Sequence, residues 1–119
     1  YGIDEVLKVI RDTANNYCGV HGCKVDVDVV SREDPVQPTS ADSEVVRRLS
    51  KAIRIVKGLE PKLLGIGGGT YARYLRARGI PVAVWMTSKE TAHAPDEHVL
   101  LSDVISDIKT LIASLLTEP

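Results

Sequence analysis

The sequence predicts an α/β fold, with one helix and one strand followed by a βαβ unit of parallel strands and flanking helices. Three observations carry that expectation. Helical and extended patterns alternate between residues 44 and 85, an apolar run (Leu63, Leu64, Ile66) ends in three glycines before a new helical pattern, and residues 24–32 alternate apolar with charged side chains.

In chain order, Ile3, Val6, Leu7, Ile10 and Ala14 recur at helical spacing, which predicts an amphipathic helix from about Asp4 to Tyr17. The turn Cys18-Gly-Val-His-Gly-Cys23 ends it, with Gly19 available as the left-handed cap. Cys18, His21 and Cys23 lack the spacing of common structural zinc sites; two free thiols are the default, and a disulfide across the turn is sterically allowed. From Lys24 to Arg32, Val25, Val27 and Val29 face one way and Lys24, Asp26 and Asp28 the other, as in a half-buried strand.

Glu33 to Ser40 holds two prolines and no periodicity, so it reads as a linker. Ser40 then suits an N-cap for a helix whose stripe is Val45, Val46, Leu49, Ala52, Ile53 and Val56 and which Gly58 stops. A strand (Lys62 to Ile66), a helix (Tyr71 to Ala77) and a second strand (Val82 to Trp85) follow, an order that implies a right-handed crossover. Ser102 is the expected cap of a last helix carrying Val104, Ile105, Ile108, Leu111, Ile112 and Leu115.

Composition narrows the function classes. At 119 residues with 44% apolar side chains the chain has material for one modest core. A net charge of −1, from 15 basic and 16 acidic residues, leaves no footprint for nucleic acid or an anionic membrane, so neither is an expected partner. With no run of 18 apolar residues and no signal-peptide pattern, the expected location is the cytoplasm. The chain opens on Tyr1 and enters a helix at once, which reads as a fragment.

The glycine turn is the first chemical feature. Without Cβ atoms on Gly67, Gly68 and Gly69 a ligand can approach the backbone N–H groups, and the start of the next helix favours an anion there. The lysine of a P-loop is missing, the spacing is not that of a dinucleotide turn, and no acidic residue closes a second strand, which argues against a nucleotide. A carboxylate or small-anion site and a purely structural turn both remain open. About twenty residues further on, His93 lies on the loop after the second expected strand, where open α/β sheets place ligands. An imidazole there points to a metal or to acid/base chemistry.

Gly67-Gly-Gly-Thr70 with Ala72-Arg73, Gly79-Ile-Pro81, Trp85, Glu90-Thr-Ala-His93 and Pro95-Asp-Glu97 resembles the C-terminal part of the dinuclear zinc aminoacylases and exopeptidases. That family includes acetylornithine deacetylase, succinyl-diaminopimelate desuccinylase and glutamate carboxypeptidase. The resemblance covers nearly the whole chain. It implies that residues 1–35 are the C-terminal half of a lid and dimerisation domain and residues 36–119 the C-terminal part of the catalytic domain. The full-length parent would be a metal-dependent amidohydrolase that removes an acyl group from an N-acylated amino acid, with two zinc ions, or cobalt in their place, and a homodimer formed through the lid.

By matching position, His93 is the one metal ligand the resemblance implies here. Gly69 and Thr70 would grip a substrate carboxylate, Arg73 would add charge to that grip, and Ser31 matches a substrate-contacting serine of the desuccinylases. No catalytic residue falls in this stretch, so the 119-residue piece is expected to be inactive alone. Many members have Asn where this chain has Asp96. The competing reading is a small stand-alone module whose glycine turn holds an anion and does no chemistry.

Overall fold

The computed structural model describes residues 2–65, 69–87 and 91–118. It divides into two compact units, Tyr1–Val36 and Gln37–Pro119. Four helices occur among the described residues: α1 (Ile3–His21), α2 (Glu44–Lys57), α3 (Ala72–Arg76) and α4 (Leu101–Leu116).

In the first unit α1 carries Asp4 and Glu5 in its first turn, where acidic side chains complement the helix dipole. It runs one turn beyond its expected end. Gly19 is helical, and Gly22 is the cap, at φ 68°, with its N–H bonded to the Cys18 carbonyl. That left-handed reversal returns Cys23 to Cys18, and the two form a disulfide with Cα atoms 4.5 Å apart, so the default of two free thiols is corrected. Arg32 then forks onto Asp4, at 2.6 and 3.2 Å, and onto Asp34 at 3.0 Å, tying the end of the extended segment to the start of α1. This guanidinium holds the exposed Asp4 carboxyl below the usual carboxylate range.

In the second unit α2 has the central place and buries Val46, Ala52 and Ile53. Its start is Glu44, behind Ser43; the Ser40 hydroxyl accepts the Asp42 N–H at 3.2 Å and so shapes the preceding turn rather than capping the helix. Gly58, at φ 65°, stops it. α4 packs antiparallel on α2: Arg48 donates to the Thr117 carbonyl at 2.9 Å and Lys51 to the Glu118 carbonyl at 3.1 Å, while Lys57, at the other end of α2, pairs with Asp107 at 2.8 Å. α4 has no basic residue in its own last turn, so the cations of α2 satisfy carbonyls at its negative end. Ser102 lies inside α4, and Leu100 occupies the cap position given to Ser102 from sequence.

No strand occurs among the described residues, so the βαβ parallel-strand unit and the strand Lys24 to Arg32 are both corrected. A strand exists only through a ladder with a neighbour, and here side chains take the neighbour's place. The Thr39 hydroxyl accepts the Val82 N–H at 3.0 Å and donates to the Val82 carbonyl at 2.7 Å; Arg76 adds a 3.3 Å bond to that carbonyl. Thr87, at the far end of the segment, gives its N–H to Asp107 at 2.7 Å. The expected strand Lys62 to Ile66 has no ladder over residues 62–65, and Ile66 lies outside the described residues.

Candidate functional site

A polar cluster holds the second unit together between α2, α4 and the segment before the His93 loop. Asp107 Oδ1 accepts from Lys57 Nζ at 2.8 Å and from the Thr87 hydroxyl at 2.6 Å, and Lys57 Nζ also reaches Thr87 Oγ1 at 2.8 Å. The same ammonium lies 5.2 Å from the centre of the Trp85 ring, within cation–π range. The Lys57 and Asp107 side chains are 13% and 17% exposed. Burial by itself pushes the Asp107 carboxyl up, but the bonds from Lys57 and Thr87 and the Lys57 charge outweigh it and leave the carboxyl below its ordinary value. Sequence reasoning missed these residues, because a lysine ending an amphipathic helix and an aspartate fifty positions on carry no shared local pattern.

Of the glycine turn, Gly67 and Gly68 lie outside the described residues. Gly69 is described and exposed, its φ is not in the left-handed region, and a Cβ built on it would meet nothing within 4 Å. Neither its backbone conformation nor crowding among the described residues therefore requires glycine at this position. The Thr70 carbonyl accepts the Arg73 N–H at 3.1 Å and opens α3. With five residues, α3 adds little dipole, so the helix-start argument for an anion weakens and the clearance at Gly69 remains. The Arg73 guanidinium lies 5.4 Å from the centre of the Tyr74 ring.

His93 is exposed on a compact loop. The Thr91 carbonyl accepts the Ala94 N–H at 3.0 Å, the Ala94 carbonyl accepts the Glu97 N–H at 3.2 Å, and the Thr91 hydroxyl donates to the His98 carbonyl at 3.3 Å. His93 takes φ 63°, and its N–H donates to Glu97 Oε2 at 3.2 Å. Left-handed residues other than glycine are uncommon and gather at functional positions. Asp96 has the same φ of 63°. Asn and Asp are the side chains that tolerate this region best, so Asp in place of Asn keeps the loop conformation.

Ser31 is exposed and belongs to the first unit, whereas Gly69, Thr70, Arg73 and His93 belong to the second. Among the described residues no three metal-binding side chains come together. A zinc ion takes three or four protein ligands, and His93 is one exposed imidazole, so the described residues do not by themselves make a zinc site. Among the described residues, His93 stands on a hydrogen-bonded loop and Gly69 is uncrowded.

These features, a left-handed histidine in a Thr-x-His-x-Pro loop and a glycine turn before a short helix, coincide with the comparison of the chain with known families. The chain belongs to the M20/M25/M40 peptidase family, whose pattern it matches over residues 2–117. Among curated proteins, an uncharacterized metallohydrolase of Methanocaldococcus jannaschii is 35% identical over 114 residues, 88% of this chain and 28% of that protein. A second such metallohydrolase, from Methanococcus maripaludis, is 44% identical over 72 residues, 60% of this chain and 17% of that protein. The succinyl-diaminopimelate desuccinylase of Wolinella succinogenes is 38% identical over 77 residues, 65% of this chain and 21% of that enzyme. The chain thus spans well under a third of the length of these relatives. No solved structure matches it at comparable stringency.

Proposed function

We propose that the chain is part of a metal-dependent amidohydrolase that removes an acyl group from an N-acylated amino acid, and that it is inactive by itself. The observation that carries this reading is the family match over residues 2–117; Gly69 is exposed with nothing within 4 Å of a built Cβ among the described residues, which leaves room for a ligand there. Relatives named desuccinylase favour an N-succinyl substrate over an N-acetyl one. In the assembled enzyme His93 serves as one ligand of a zinc pair, for which cobalt can substitute. Bound metal supplies a Lewis acid and an activated water. The chain's own residues orient and bind: Gly69 and Thr70 take the substrate carboxylate, Arg73 adds positive charge, and Ser31 is a further substrate contact.

Under this reading residues 1–35 belong to a lid and residues 36–119 to the catalytic domain, in a cytoplasmic homodimer joined through the lid. Supporting the dimer, α1 buries none of its residues, and Val9, Ile10, Ala14, Tyr17 and Val25 line an open apolar groove of about 490 Å3. No helix among the described residues is long and apolar enough to cross a membrane.

The test joins this chain to the remainder of a family polypeptide and measures metal content and hydrolysis of N-succinyl-diaminopimelate and N-acetylornithine. His93→Ala should lower bound metal by one equivalent and kcat by about a hundredfold or more, and Gly69→Ala should raise KM with the fold unchanged. Chelator-sensitive turnover by the 119-residue chain alone, or full metal content in His93→Ala, would overturn the reading.

A further inference from the structure

α1 stops on its own disulfide. Gly22, in the left-handed region at φ 68°, gives its N–H to the Cys18 carbonyl, and the Cys23 N–H reaches the same carbonyl at 3.2 Å. A bond of that second span marks a Schellman stop, which a hydrophobic contact near the same two positions commonly accompanies. Here the two positions are Cys18 and Cys23, and a covalent S–S bond takes the place of that contact. The backbone turn that ends the helix is thus the turn that brings the two sulfur atoms together, and its hydrogen bonds do not need the S–S bond in order to form. Among the described residues little else holds this turn. Val20 is 81% exposed, and no described residue of the first unit is buried, so no core keeps the turn closed once the sulfurs part. Gly19 lies inside the last helical turn, where glycine weakens a helix. The Tyr17 ring, 4.3 Å from the His21 ring, adds a contact between two exposed side chains. Reagents can reach the bridge, because Cys23 is exposed and Cys18 only half-buried.

We propose that Cys18 and Cys23 are a reversible dithiol–disulfide switch, which locks the last turn of α1 when closed and releases it when open. The reagent that opens it is a small dithiol. Its thiolate attacks the exposed Cys23 sulfur, the bond to Cys18 breaks, and Cys18 departs as a thiolate that takes up a proton. The reagent's second thiolate then attacks its own sulfur in the mixed disulfide, and Cys23 departs and is protonated in turn. Two electrons and two protons have passed to the chain, and the reagent has become a cyclic disulfide. The disulfide of a small thiol runs the sequence backwards, and the helix stop makes the closing step intramolecular between residues already held together. In the cytoplasmic location proposed above, a bridge is usually transient or redox-sensing rather than permanent. That one support rests on the functional reading, and the geometry does not.

The experiment treats the whole chain, without denaturant, with millimolar dithiothreitol and then with an excess of glutathione disulfide. Alkylation and mass spectrometry count the thiols at each stage, and hydrogen exchange is read in the closed and open states. Both thiols should appear within minutes and the intramolecular bridge should return. Amides of residues 20–24 should exchange about tenfold or more faster in the open state, with those of α2 unchanged. Cys18→Ser/Cys23→Ser should exchange at the open rate with or without dithiothreitol. Gly19→Ala, which strengthens the turn without the bridge, should shrink the difference by about fivefold. Circular dichroism checks that the double variant keeps its helices; if it does not, the reduced and oxidised wild-type chains supply the same comparison. A bridge that opens only in denaturant would be a fixed staple, glutathione adducts or cross-linked chains in place of the restored bridge would show that the stop does not hold the sulfurs together, and equal exchange in the two states would remove the lock. Each of these results overturns the proposal. None of them touches the hydrolase reading, which is decided by metal content and turnover.

Discussion

Replacing Asp107 by Asn tests the polar cluster that joins α2, α4 and the segment leading to the His93 loop. Among the described residues Asp107 receives three donors: Lys57 Nζ at 2.8 Å, Thr87 Oγ1 at 2.6 Å and the Thr87 N–H at 2.7 Å. An amide keeps one acceptor oxygen, turns an NH2 toward a donor, and leaves a Lys57 ammonium that is only 13% exposed without its counter-charge. Losing a charged hydrogen bond at a largely buried site and stranding its partner costs about 3 kcal/mol. Lys57→Met is milder, about 1 kcal/mol, because Asp107 keeps both Thr87 donors and the methionine stem still covers the Trp85 ring. If the two side chains act as a pair, the double variant should be less destabilised than the sum of the singles by about 1–2 kcal/mol. Urea unfolding at neutral pH, followed by circular dichroism and by fluorescence of Trp85, the one tryptophan, supplies all four corners of the cycle. A coupling within about 0.3 kcal/mol of zero would refute the argument, since the contacts would then be geometry without energetic weight.

Further outcomes follow from the same structure. Because the folded Asp107 carboxyl lies below its ordinary value of 3.8, its contribution is complete above that value and is lost as pH falls through the lowered one. The stability gap between wild type and Asp107→Asn should therefore narrow on acidification to about pH 2, and a gap that widens would be the wrong sign. Bridging Cys18 to Cys23 should show as a deficit of two hydrogen masses in the unreduced chain, and reduction should cost the first unit about 2 kcal/mol through the freed five-residue separation. Two thiols titrating under oxidising conditions would contradict the bridge. Arg48→Ala should destabilise the second unit by about 1 kcal/mol and increase hydrogen exchange in the last turn of α4, because it uncovers the Leu115 and Thr117 carbonyls. Exchange unchanged in that turn would show that solvent caps it as well.

The sequence by itself determined what depends on neighbours within a turn or two. The stripe of α2 and its glycine stop, the amphipathic character of α1 and α4, and the loop motif around His93 are local patterns of this kind, since a helix closes its hydrogen bonds within its own segment. The glycine turn with the histidine loop also carried the family, because motif order is a property of the chain and needs no packing. Tertiary structure decided everything that depends on a partner. Whether an alternating segment becomes a strand rests on a ladder neighbour, and here Thr39 and Asp107 side chains satisfy the ends of the 82–87 segment instead. Which side of α4 meets α2 was equally out of reach: its moment marks an apolar face, while its packed face was chosen by Asp107 finding Lys57 and by Thr110 turning its hydroxyl back to the Ser106 carbonyl at 3.0 Å. Hydrophobic patterning ranks faces by their cost in water, and only the long-range partners determine which face is covered.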